Sequence, residues 1–179
     1  MKRYSSGILF SEDMSNVLII HKLTPAHLMN LANFPGGKVD ASDYCVSAVS
    51  AKACAPLTDA DVSEAHLRCC ARELQEETGL DVNVDQLQFV CTLKFSRGGE
   101  DAECRFYAAA INLDSAVAKT QEKIFQIPTV NVLTGDAIRC SEVEIKPMGN
   151  LAWLCAMAQQ VIKRCHESVY TVTALDEHV

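Results

Sequence analysis

Arg72-Glu73-Leu74-Gln75-Glu76-Glu77-Thr78-Gly79-Leu80 decides the reading of this chain. Glu73, Glu76 and Glu77 fall at i, i+3 and i+4, so a helix presents all three carboxylates on one face. Leu67, Cys70, Ala71 and Leu74 fall at i, i+3, i+4 and i+7 and make an apolar stripe beside them. The spacing predicts a helix that starts at Asp61 or Ser63, either one a suitable N-cap, and runs to Thr78. Gly79 is well placed to stop it. Three like charges this close repel on a bare helix. A hard divalent cation, Mg²⁺ or Mn²⁺, would offset that repulsion through oxygen ligands while keeping waters and bridging to phosphate. Arg72 can orient one carboxylate by a charge-assisted hydrogen bond. Glutamates at this spacing alone usually form a solvated face. The whole string is far rarer: at roughly 6% usage per fixed residue and about a quarter for each aliphatic slot, its chance occurrence is on the order of 1 in 100,000.

N-terminal to this helix, Ser6–Phe10 and Val17–His21 are short apolar runs around a polar turn, which predicts a hairpin. Asn33-Phe34-Pro35-Gly36-Gly37-Lys38-Val39 follows, and Pro-Gly-Gly marks a loop with a specific backbone path. It lacks the glycine and lysine spacing of a phosphate-cradling loop. Ala48–Ala55 reads as a short helix ended by Pro56. C-terminal to the glutamates, Gln86–Phe95 and Cys104–Asn112 read as strands joined by a loop at Ser96–Asp101. Glu122–Val132 holds another short strand that Pro128 confines to an edge or an end. Gly149–Arg164 reads as a helix, and Ser168–Leu175 as a final strand or tail. The mix predicts a single α+β domain over residues 1–179.

The 179 residues suit one core, with 49% apolar and 22% charged residues. The formal net charge of −7 disfavours a polymeric nucleic-acid partner, which requires clustered positive charge. It permits a small phosphorylated ligand, because a metal ion supplies positive charge locally. Nine cysteines, an odd count without C-x-x-C, read as small buried hydrophobes in a reducing compartment. Cys69 and Cys70 fall to packing by the same argument. The five histidines are scattered and form no metal pair. Trp153 reads as a core or pocket-wall residue. With no stretch of 18 apolar residues and no signal segment, the expected location is cytoplasmic, away from any membrane.

Arg72-Glu73-Leu74-x-Glu76-Glu77-x-Gly79-Leu80 resembles the second half of the Nudix box, G-x5-E-x7-R-E-U-x-E-E-x-G-U, where U is aliphatic. Phe34–Val39 resembles the loop that opens it. The resemblance runs from the Ser6–His21 hairpin to about Val132, and more weakly into Asn150–Leu154. It implies a Nudix-type α/β/α sandwich with a mixed sheet. It also implies metal-dependent hydrolysis of a nucleoside diphosphate linked to another group, such as a nucleotide or nucleotide sugar. By position, the implied metal ligands are Glu73, Glu76, Glu77 and the carbonyl of Gly37, with Arg72 orienting a glutamate. Glu122 is the candidate for the further downstream acid, with Glu100, Asp101 and Glu103 as alternatives. Glu73, Glu76 and Glu122 are candidates for the general base. Phe34, Gly36 and Lys38 are candidate substrate contacts of the loop. Homodimers are common in the family, and nothing in these residues marks one.

The chain departs from the box in one respect. Gly37 and Arg72 stand 35 positions apart where the motif requires 14, so about 21 residues are inserted, at about 44–63. A strict box would place glycine at Thr58. Asp43, with five residues between it and Gly37, and Glu64, with seven between it and Arg72, both remain candidates for the first acid of the box. The insertion lies in a loop-to-helix connection, where extra length costs little entropy. Two other readings compete with the hydrolase: a catalytically weak nucleotide-binding module, and a domain whose inserted segment docks a protein partner. Retention of all three glutamates argues against the former.

Overall fold

The computed structural model describes residues 1–23, 29–44, 57–97, 99–140 and 143–176. Strands β1 (Lys2–Phe10) and β2 (Asn16–Lys22) form the expected hairpin, each longer than its apolar run. They are followed by β3 (Leu31–Asn33) and β4 (Gly36–Lys38), a 3₁₀ turn at Ala41–Asp43, and helix α1 (Asp59–Thr78). Then come β5 (Gln88–Arg97), β6 (Glu100–Ala110), β7 (Lys123–Pro128), the short helix α2 (Thr129–Leu133), β8 (Ile138–Cys140), β9 (Val143–Pro147) and helix α3 (Leu151–Asp176). The strand order is β5-β6-β1-β2-β3-β9-β8, with β4 beside β1 and β7 beside β2. β1 with β6 and β3 with β9 are parallel; the remaining pairs are antiparallel, so the sheet is mixed.

Alternation along the strands feeds two cores. Leu9 and Leu18 pack with Cys70 and Leu74 of α1 on one face, together with Leu80, Tyr107 and Leu113. Ile8, Phe10, Val17 and Ile19 face the other way onto Leu151, Leu154, Ala158 and Ile162 of α3. Helices therefore cover both faces, giving the α/β/α sandwich.

Three local expectations are corrected. Helix α1 starts before Asp61 and Ser63: Thr58 is its N-cap, accepting from Asp61 N at 3.2 Å, while Asp61 Oδ2 accepts from Thr58 N at 2.8 Å. The reciprocal bonds satisfy two amide groups that a helix start leaves open, and the position where a strict box has glycine becomes a cap. Residues 59–63, the end of the expected insertion, thus form the first turn of α1, whereas 45–56, including the helix expected at 48–55, lie outside the described residues. Helix α3 continues past Arg164 to Asp176, where a strand or tail was expected. No Gly or Pro occurs after Gly149 to stop it, and the β-branched residues of that stretch do not outweigh helix propagation. The β5–β6 hairpin is tighter than the Ser96–Asp101 loop, since Arg97 already pairs with Glu100 and Gly99 adopts φ 79°.

The site depends on a divergence in the sheet. β1 and β2 register at Phe10 and Val17, beside their turn. Farther along, β1 takes β4 as its neighbour and β2 takes β3 and β7. A cavity of about 640 Å³ opens there, lined by Phe34, Gly36 and Gly37 on one side and Leu93, Phe95 and Phe106 on another.

Candidate active site

Gly36 lets the loop lie against β1, and Gly37 lets it approach the helix. A Cβ on Gly36, whose φ is 155°, would lie 2.3 Å from the Ser5 carbonyl oxygen. A Cβ on Gly37 would lie 2.4 Å from the Glu73 carboxylate. Gly36 N donates to Glu77 Oε2 at 2.8 Å. The loop and the glutamate helix, 36 to 40 positions apart, are in direct contact despite the intervening insertion.

Arg72 organises the outer part of this contact. It donates to both oxygens of Asp43 at 2.9 and 3.0 Å, to Glu73 Oε1 at 2.8 Å and to Glu76 Oε2 at 3.1 Å. It also donates to the Lys38 carbonyl at 3.1 Å. Of the two candidates for the first box acid, Asp43 is the one held here, its side chain 3% exposed. Glu64 is exposed on α1 and pairs with Arg68 one turn on. Burial would raise the Asp43 carboxyl, but Arg72 and the Asp40 amide outweigh it and hold it below the ordinary value. The bonds to Asp43, and then those to Glu73, raise the Arg72 guanidinium.

The inner part is built on a residue the motif does not contain. Lys22 Nζ, at the end of β2, donates to Glu77 Oε1 at 2.9 Å and to Glu122 Oε2 at 2.8 Å. All three side chains are about nine-tenths buried, at 10%, 11% and 10% exposure. Burial alone would lower the Lys22 ammonium; the two carboxylates hold it above its ordinary value. Burial raises the carboxyls of Glu73 and Glu77, more than Arg72 relieves the first or Lys22 the second.

Glu122, expected as the further acid, therefore reaches this cluster through Lys22. Its alternatives do not join it: Glu100 pairs with Lys2, Asp101 is exposed on β6, and Glu103 is buried beside His66 and Arg3. Phe34 is buried and lines the cavity with Gly36. The Lys38 side chain is exposed and away from the cavity wall, and its carbonyl serves Arg72. Trp153, read as core or pocket wall, is 49% exposed on α3; Asn150 and Met148 take up the wall, with Asn33 and Lys94. Lys22 was readable only as a charge ending an apolar strand, a weak signal for a site.

A family model described as "NUDIX domain" matches residues 1–123, well over half of the chain. The chain belongs to the NUDIX family. Its general character is that of a Nudix-type hydrolase domain. A search of curated proteins finds no match. Solved structures share the Nudix fold at low identity. The NUDIX domain of Shewanella oneidensis NrtR, complexed with ADP ribose, is 15% identical with a TM-score of 0.56, over 88% of this chain and 86% of that one. A MutT NUDIX hydrolase from Burkholderia pseudomallei is 14% identical with a TM-score of 0.56, over 87% and 96%. A Caenorhabditis elegans Ap4A hydrolase is 13% identical with a TM-score of 0.53, over 89% and 93%. Among the described residues, no helix of this Nudix chain is long and apolar enough to cross a membrane.

The donor set suits a hard divalent cation of the kind Nudix hydrolases generally use. Five carboxylates against two cations leave a formal excess of three negative charges in the cluster. The donors are all oxygens, and the approach of Gly37 to Glu73 leaves no room for a side chain between them. As they stand, the carboxylates are turned onto Arg72 and Lys22, and among the described residues no three acidic, His or Cys side chains converge on one point.

Proposed function

We propose that this domain hydrolyses the phosphoanhydride bond of a nucleoside diphosphate linked to a second group, with Mg²⁺ or Mn²⁺ as cofactor. The observation that carries the proposal is the contact of the Gly36-Gly37 loop with Glu73 and Glu77 beside a 640 Å³ cavity. Glu76, Glu77 and the Gly37 carbonyl would hold the ion, with Glu73 beside them and Glu122 close by. The bound ion supplies neutralisation of the phosphate oxygens and acidification of the attacking water.

The remaining work belongs to the chain. Arg72 fixes the Glu73 and Glu76 carboxylates and is itself fixed by Asp43, so their placement costs little reorganisation. Glu73 is the proposed proton acceptor. Burial raises its carboxyl above the ordinary carboxylate value, which favours proton acceptance, and Arg72 anchors Oε1, leaving Oε2 for the proton. Phe34, Leu93, Phe95 and Phe106 give the cavity flat apolar walls for the nucleoside portion, and Asn33 and Asn150 supply polar contacts.

The test is a panel of nucleoside diphosphate derivatives incubated with Mg²⁺ or Mn²⁺, with products identified by mass spectrometry in ¹⁸O-labelled water. Divalent-dependent appearance of ¹⁸O-labelled phosphate products is expected. Tight nucleotide binding without any turnover would favour the sensing module instead.

A further inference from the structure

The two cations of the cluster are not equivalent. Arg72 sits at the rim and keeps four carboxylate-oxygen partners and the Lys38 carbonyl, whereas Lys22 is buried and bound to Glu77 and Glu122 alone among the acids. Its ammonium stands within 3 Å of both inner carboxylates. Glu77 is fully engaged, because its other oxygen accepts from Gly36 N. Lys22 also lines the cavity, alongside Gly36 and Gly37. A lysine is a point charge on a flexible four-carbon stem, able to leave one partner without moving the backbone.

We infer that Lys22 is a tethered counter-cation: it neutralises Glu77 and Glu122 in the metal-free protein and opposes a divalent ion for them. This rests on the metal-dependent reading above. When an ion takes Glu77, the ammonium has to leave, and the cavity it already lines is the space open to it. A unit positive charge at hydrogen-bonding distance from the shared carboxylates disfavours a second cation until it withdraws. Removing the charge of Lys22 therefore tightens metal binding, although it breaks two ion pairs. A merely structural lysine would have the opposite effect, since losing it would loosen the carboxylates and weaken the site.

The experiment titrates Mn²⁺, without nucleotide, into the wild-type chain and into Lys22→Met, followed by calorimetry at neutral pH. The variant is expected to bind at least about tenfold more tightly, and to gain more thermal stability from Mn²⁺ than the wild type does. Equal or weaker binding by the variant overturns the inference while leaving the hydrolase reading intact. No binding by either protein overturns both. Should Lys22→Met fail to fold without metal, the wild type supplies the measurement. Lys22 is acetylated with acetic anhydride, with and without Mn²⁺, and quantified by peptide mass spectrometry. Labelling several-fold faster with Mn²⁺ supports release of the amine; continued protection in Mn²⁺-saturated protein rejects it.

Discussion

The outer and inner halves of the acidic cluster use one device, a cation between carboxylates, yet differ in how they are assembled. The outer half gathers Arg72, Glu73 and Glu76 from one helical turn and adds Asp43 from the 3₁₀ turn. The inner half draws Lys22, Glu77 and Glu122 from three segments separated by 55 and 100 residues from the lysine. The outer half is open to solvent at Glu76, 55% exposed, and the inner half is enclosed. Proton transfer with water suits the outer half, and charge storage the inner.

The sharpest way to break this comparison is Glu73→Gln, which keeps size and removes the proposed proton acceptor. Turnover should fall by about 10²–10⁴-fold, with the far-ultraviolet spectrum unchanged. If Glu122→Gln instead causes the larger loss, the base belongs to the inner half.

Stability separates the halves next. Arg72→Met leaves Asp43 buried and unpaired, and unfolding in urea should show a loss of about 3 kcal/mol. Asp43→Asn keeps the shape and should cost about 1–2 kcal/mol. Loss of similar size from Glu64→Gln would reinstate Glu64 as the first box acid; the exposed pair with Arg68 predicts little change.

These contrasts follow what was legible in the sequence. The helix, its stop at Gly79 and the shared face of the glutamates were readable because i, i+3 and i+4 spacing is local geometry. The flanking hairpin was readable from two short apolar runs around a polar turn. The choice between Asp43 and Glu64 was not, because both satisfy a spacing and only the fold brings one to Arg72. Lys22 was hidden for a deeper reason: its partners lie 55 and 100 positions away, and a lone lysine at a strand end resembles an ordinary strand terminus. The end of α3 was misread because β-branched residues suggest a strand when tertiary support is out of view.

A smaller effect is expected in the pH dependence. Glu73 and Glu77 have carboxyls raised above their ordinary values, mainly by burial. Between the unfolded carboxylate value, about 4.3, and the raised folded values, the native state holds more protons. Stability from these two groups is therefore greatest at the acidic end and declines as pH rises through that window. Asp43 works in the opposite sense: its lowered carboxyl contributes stability above the unfolded value, lost as pH falls through the folded one. Metal-free Glu73→Gln should accordingly show a flatter decline in melting temperature than the wild type as pH rises above the unfolded carboxylate value. Saturating Mg²⁺ should flatten the wild-type profile as well, by offsetting the charge that burial penalises. An unchanged slope in Glu73→Gln would assign the pH dependence to other groups.

The smallest effect concerns the connection between the halves of the box. Asp43 is held by Arg72 and Tyr44 accepts a hydrogen bond from Arg3, so the chain is anchored up to residue 44. Thr58 anchors it again as the cap of α1. Replacing residues 45–56 with a six-residue Gly-Ser linker leaves both anchors in place. Halving a loop changes its closure entropy by only about 0.6 kcal/mol, and in the favourable direction. The linker variant should melt within a few degrees of the wild type and bind Mn²⁺ with the same affinity, because Gly36, Gly37, Asp43 and the glutamates are all retained. Unchanged metal affinity with altered KM for a nucleotide would make the segment part of substrate recognition. Loss of Mn²⁺ binding would show that residues 45–56 hold the Gly-Gly loop against α1, a task that the Gly36–Glu77 and Arg72–Asp43 bonds are otherwise sufficient to perform.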